Sequence, residues 1–197
     1  MTLIASFLSI FTAIVWGSAV AFLEELGNKV LTPILLAYVS IFRNSPLLVF
    51  MFLFFYGLPY VGITMSPLLT GVLAITLNEG AFVAEILRGS ILNIPSSEIE
   101  AAYSLGLSKF QVVGKIIFPL AIRTSLPMLT GQSSIVIKDT SLLSLIMILD
   151  LTRAGTMFYS QTFNTSSIGV IAVIYVIIFL GFSNLGHFIE KKVVVKR

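Results

Sequence analysis

The sequence contains no cysteine and one histidine, and only 11% of its 197 residues carry charge. The missing cysteine excludes disulfides and thiolate chemistry. His187, without a second histidine or a thiolate, makes no metal site and reads as an interfacial residue. No phosphate-binding G-x-x-x-x-G-K-S/T loop occurs, so the chain does not hydrolyse ATP by itself. No G-x-S-x-G elbow suggests an intramembrane hydrolase. No polar stretch is long enough to bury a core of its own. Soluble domains are nearer a quarter charged. The low charge, with 57% hydrophobic residues and a mean hydropathy of +1.03, therefore describes an integral membrane protein.

Five apolar runs divide the chain. They cover residues 2–23, 46–58, 67–87, 116–137 and 168–186 of a single transmembrane domain over 1–197. The first lacks a basic start and a small-residue cleavage site, and Glu24-Glu25 follow it directly, so it reads as a span and not as a signal peptide. Residues 24–45, which hold Lys29, Pro33 and Arg43, read as a loop, with Arg43 as an anchor on the positive side. Residues 138–167 are interrupted. Lysines and arginines are unevenly shared: nine lie in 24–45, 88–115 and 187–197, against Arg153 alone on the other side, with Arg123 and Lys138 left inside spans. The positive-inside bias predicts an amino terminus outside and a carboxy terminus in the cytoplasm.

The longest polar interval is residues 94–119, I-P-S-S-E-I-E-A-A-Y-S-L-G-L-S-K-F-Q-V-V-G-K-I-I-F-P. Ser97-x-x-Glu100 and Ser108-x-x-Gln111 both have the form of a capping box. Gly106 lies between them, where a first helix needs a residue tolerant of positive φ to stop. The pattern predicts a short helix over residues 98–105 (97–106 with its ends), a sharp turn, and a second helix returning to the membrane. Caps alone also fit an ordinary interhelical loop.

Charges inside spans cost roughly 2.5–3.5 kcal/mol at a helix centre, so each needs a reason. Glu85 can pair with Arg88 at i, i+3. Glu79 is near the middle of the third span with no partner at i±3 or i±4, and Asn78 beside it is a second polar group. Glu79 must find a cation elsewhere, face a watery cavity or stay protonated. Asp139-Thr140-Ser141, following Lys138, reads as N-cap chemistry opening a second helical piece, whose amides and dipole could receive a carboxylate. On the residues alone, an equally good reading has Asp139 only capping and Lys138 snorkelling outwards. Glycines 71, 80 and 89, nine apart, form no small-x-x-x-small motif and are assigned nothing.

Several of these stretches together resemble one family. Glu100-Ala101-Ala102, then Gly106, then Ile116-Ile117-Phe118-Pro119 is similar to the EAA motif of ABC-importer membrane subunits, with Phe118 where leucine is usual. Ile41-Phe42-Arg43-Asn44-Ser45-Pro46-Leu47-Leu48-Val49 resembles the F-R-G-T-P-L-L-V-Q segment of polar amino-acid permeases, with Asn44 and Ser45 for Gly and Thr and Phe50 for Gln. Ala81 to Gly89 resembles A-Y-x-A-E-I-x-R-G, with Phe82 for tyrosine. Residues 138–144 match K-D-T-S-L-L-S, and residues 150–155 resemble E-L-T-R-x-G with Asp150 for Glu. Members usually carry an amphipathic segment ahead of the first span, which this sequence lacks.

The resemblance covers most of the chain to Gly155. It implies an all-α polytopic permease of five transmembrane helices with a cytoplasmic coupling helix, in a bacterial cytoplasmic membrane. It implies no catalysis and no cofactor, and polar amino acids, basic ones among them, moved by alternating access. The implied partners are two cytoplasmic ATP-binding cassette ATPases, a second permease subunit (identical or not), an extracytoplasmic binding protein and membrane lipid, with no nucleic acid. Glu100, Ala101, Ala102 and Gly106 would couple to the ATPase. Asn78, Glu79, Lys138, Asp139, Thr140 and Ser141 would line the substrate cavity. Two alternatives are a permease of the same architecture for another solute such as methionine, and a non-transporting scaffold or signalling subunit.

Overall fold

A computed structural model describes residues 1–194, and the described residues contain helices and no strands. Of the tail's cations, Lys196 and Arg197 lie outside the described residues. Four helices are long and apolar enough to cross a membrane. These are α1 (Thr2–Glu25), α4 (Pro67–Leu92), a continuous 38-residue helix over Lys109–Ile146, and α9 (Ser166–Val194). A bent pair, Leu31–Arg43 and Leu47–Val61, supplies a fifth if counted as one broken span. The 38-residue helix comprises α6 (Lys109–Val112), a π-helical turn at Val113–Ile117, α7 (Phe118–Asp139) and a 3-10 turn at Thr140–Ile146.

α4 is the centre of the packing: α1, α2 (Leu31–Arg43), α3 (Leu47–Phe52) and α7 all contact it. Its start is set by Ser66, whose hydroxyl accepts from the Leu69 amide, and by Pro67 at the first helical position. α1 lies parallel to α4, Thr12 meeting Thr76 and Gly17 meeting Gly80, and their contact is lined with Ala5, Ala13, Ala21, Ala74, Ala81 and Ala84, all buried. In lipid, where apolar burial drives helices together weakly, small residues let backbones approach and dispersion do the work. At the crossing, a methyl on Gly17 would overlap the Gly80 carbonyl and Val83, and one on Gly80 would lie 2.8 Å from Trp16. Gly71 likewise admits Leu143. Two of the three glycines to which the sequence assigned nothing therefore hold close contacts, whose partners lie on other helices.

Residues 24–45 are not a loop. α2 occupies Leu31–Arg43, and the chain then turns by 103° into α3, which continues through a π-helical turn (Leu53–Gly57) and a 3-10 turn (Leu58–Val61). Pro46 causes the turn: it has no N–H to continue the ladder and drives Ser45 towards extended backbone. The Asn44 amide donates to the Ser40 carbonyl at 2.7 Å, and Phe42 stacks on Phe50 across the elbow at 4.2 Å between centroids. Arg43 is thus no loop anchor. It ends α2 and pairs with Glu85 at 3.3 Å, while Arg88 Nε donates to the same carboxylate at 3.0 Å.

The fourth span also differs. It runs on past residue 137 directly into the 3-10 turn Thr140–Ile146, and no side-chain cap opens a new helix at Asp139–Ser141. Asp139 has helical φ and ψ of −64° and −26°, and the Thr140 hydroxyl donates back to the Ile137 carbonyl at 2.6 Å. The break comes at Met147, with φ of +68°. The cap that opens the next helix, α8 (Leu151–Thr162), is Asp150, which accepts from the Arg153 and Thr152 amides at 2.8 and 3.2 Å. α9 then packs on α7 and α8 and leaves a long apolar flank exposed.

Candidate functional site

Two groups of polar residues stand out on this scaffold, one at mid-height of α4 and one at the Gly106 end. At mid-height, Glu79 is only 2% exposed. Its Oε2 accepts from Gln132 Nε2 on α7 at 2.7 Å, and the Asp139 carboxyl is a close neighbour. The cluster is thus two carboxyls and one amide, from helices that meet in antiparallel contact. Two carboxyls in such surroundings are suited to receive a cation or several hydrogen-bond donors.

The other predicted cavity residues do not join them. Asn78 donates to the Phe42 carbonyl at 2.7 Å, so its amide holds the elbow of the broken span against α4. Lys138 is exposed and turned towards α9, with Nζ 4.4 Å from the Phe179 ring centroid. Thr140 is fully buried, within 3.4 Å of the Ser6 hydroxyl on α1. Ser141 offers its carbonyl to the Ser144 hydroxyl at 2.7 Å. Because the helix continues through Thr140, its amides are not free, and a carboxylate receptor at a half-helix N-terminus does not form there. Gln132 escaped the sequence reading: partners at i±3 and i±4 test one helix only, and this one sits 53 positions away.

At the Gly106 end, α5 (Ser96–Ser104) stands between α4 and α6. The elbow after it matches expectation in detail. Gly106 has φ of +79°, its amide donates to the Tyr103 carbonyl at 2.9 Å, and the Leu107 amide donates to the Ala102 carbonyl at 3.3 Å. That hydrogen-bond pair is a Schellman stop, with Leu107 packed on the cluster that contains Ala102. The second capping box is formed, Ser108 Oγ accepting from the Gln111 amide and Gln111 Oε1 from the Ser108 amide. The first is not. α5 begins two residues earlier than the box requires, with Pro95 in the N-cap position, so Ser97 falls inside the first turn and makes no cap bond. Ala102 is buried beneath the segment, whereas Glu100 and Ala101 point outwards with Tyr103 and Leu105, the last 82% exposed. One face of α5 is thus fixed to the bundle and the other presents a carboxylate among apolar groups.

Comparison with known proteins gives a consistent result. Residues 6–195 match the model of the family described as binding-protein-dependent transport system inner membrane component. The glutamine transport system permease protein GlnP of Escherichia coli (strain K12) is 33% identical over 98% of this chain and 89% of its own length. The nopaline transport system permease protein NocM of Agrobacterium fabrum is 35% identical over 87% of this chain and 75% of its own. A solved structure described as an amino acid ABC transporter with histidines superposes with a TM-score of 0.88 at 31% identity, covering 98% of this chain and 90% of that one. The chain belongs to the family of binding-protein-dependent transport system inner membrane components.

Proposed function

We propose that the chain is the permease subunit of an ATP-driven importer for polar amino acids, working by alternating access. The relatives named for glutamine, nopaline and cystine transport support that class of cargo. The observation that carries the reading to residues is the Glu79–Gln132–Asp139 cluster. An amino acid always presents an ammonium, and Asp139 is assigned to it. Glu79 is assigned to a cationic or polar side chain, which favours basic over neutral substrates. Charge-assisted hydrogen bonds of this kind contribute roughly 1.5–3 kcal/mol each.

The subunit works beside a second permease subunit, two cytoplasmic ATPases and an extracytoplasmic binding protein. α5 is the coupling helix. Its exposed Glu100 and Ala101 meet the ATPase, and Gly106 sets the angle at which it is held. With Arg43 removed from the loop count, eight cations still oppose one, which supports an amino terminus outside and α5 in the cytoplasm.

Reconstitution of the chain with its ATPase in vesicles, against a panel of amino acids, tests the proposal. ATP-dependent accumulation of polar amino acids is the expected result. Accumulation of methionine alone would assign another solute, and a chain that binds no ATPase would be a scaffold.

A further inference from the structure

At the start of the 38-residue helix, Glu98, Lys115, Ile116, Pro119, Leu120 and Arg123 line a cavity of about 320 Å³. Arg123 stands out among the arginines near this depth. Arg43 and Arg88 share Glu85, whereas no ion pair joins Arg123 or Lys115 to a carboxylate among the described residues. A cation held near a hydrocarbon layer without a partner is costly. Its position along the helix identifies the missing anion. Gln132 marks the level of Glu79, the middle of α4. At 1.5 Å per residue, Arg123 lies about 13 Å from that level and Lys115 about 25 Å. The hydrocarbon layer ends about 15 Å from the midplane and the headgroup layer about 20–22 Å. The two cations therefore bracket the depth of lipid phosphates, and the flexible stem of Lys115 can reach back into it. Lys115 also sits in the π-helical turn Val113–Ile117, where the extra residue re-aims the side chains relative to a regular helix.

We propose that this cavity seats the phosphodiester of an anionic phospholipid. Arg123 and Lys115 hold the phosphate, and Ile116, Pro119 and Leu120 support the glycerol backbone. Glu98, on α5, accepts a hydrogen bond from a hydroxylated headgroup. Two cations and one carboxylate leave a net charge of +1, which matches the monoanion phosphatidylglycerol better than zwitterionic phosphatidylethanolamine. Because Glu98 belongs to α5 and the cations to the helix that follows it, the lipid would bridge the two sides of the Gly106 elbow.

Native mass spectrometry of the intact transporter complex, extracted from phosphatidylcholine vesicles that also hold phosphatidylglycerol or phosphatidylethanolamine, reads the retained lipid. The wild type is expected to keep phosphatidylglycerol in preference. The double variant Lys115→Gln, Arg123→Gln should lose that preference by roughly tenfold or more, given about a fivefold effect for each basic side chain at a charged membrane surface. Lys115→Arg with Arg123→Lys should keep it, as should Lys29→Gln, whose cation lies outside the cavity. Equal retention of the two lipids by wild type overturns the proposal without any variant. Equal retention by wild type and the double glutamine variant also overturns it. Displacement of the lipid by inorganic phosphate would assign the cavity to a free anion and overturn the lipid source.

Discussion

Gln132 on α7 donates to Glu79 on α4 at 2.7 Å, and so an amide from one span fixes the orientation of a buried carboxyl on another. Loss of that donor leaves the carboxyl buried but without a fixed direction. Gln132→Leu is expected to raise the KM for the preferred amino acid roughly tenfold or more, on the usual strength of a hydrogen bond to a charged group. Vesicle uptake measures it. An unchanged KM would make the contact a packing detail.

The α1–α4 crossing makes a stability prediction. Gly17→Leu must push the helices apart, because the obstacle is the Gly80 backbone, which cannot rotate away. Overpacking of this kind costs about 1–3 kcal/mol or more. Thermal unfolding in detergent should show a clear loss for Gly17→Leu. Gly89→Ala, at a helical position where an added methyl meets nothing within 4 Å, should change little or stabilise slightly. Equal melting of the two variants would refute the close crossing.

The Gly106 elbow predicts a separation of assembly from coupling. An added Cβ there meets nothing within 4 Å, so any penalty comes from the positive φ itself. Asparagine tolerates that conformation and a β-branched residue does not. Gly106→Asn should therefore transport nearly as well as wild type, while Gly106→Val should either bind the ATPase weakly or let ATP be hydrolysed without transport. Full transport by Gly106→Val would remove the elbow from the coupling account.

Orientation is open to direct labelling, because the chain has no cysteine of its own. A cysteine at Thr64 should react with an impermeant thiol reagent in intact cells, and one at Ser108 only after the cells are opened. The reverse pattern would turn the molecule over and separate α5 from the ATPase.

What could be read from the sequence was local. The Ser108–Gln111 box, the Gly106 stop and the Glu85–Arg88 pair each depend on residues within a turn or two of one another, and each is formed. What could not be read depends on a second helix. Gln132 reaches Glu79 across two spans, Gly17 meets Gly80 only because α1 and α4 run together, and Arg43 finds Glu85 only because Pro46 folds α2 back beside α4. Two local readings failed because a neighbour took the role. Pro95 displaced Ser97 from the N-cap position, and the backbone stayed helical through Asp139 and Thr140 to Ile146, so that the next capped start is at Asp150. The composition of the polar cluster was visible; the turning of Lys138 to α9 and of Asn78 to the elbow was not.

The most direct test of the account is competitive uptake of arginine and glutamine by vesicles holding wild type, Glu79→Gln or Asp139→Asn with the partner ATPase. If Glu79 meets the side chain and Asp139 the ammonium, Glu79→Gln should depress arginine uptake by about tenfold or more while sparing glutamine, and Asp139→Asn should depress both. Equal uptake of the two amino acids by wild type and Glu79→Gln would contradict it, leaving Glu79 a structural residue.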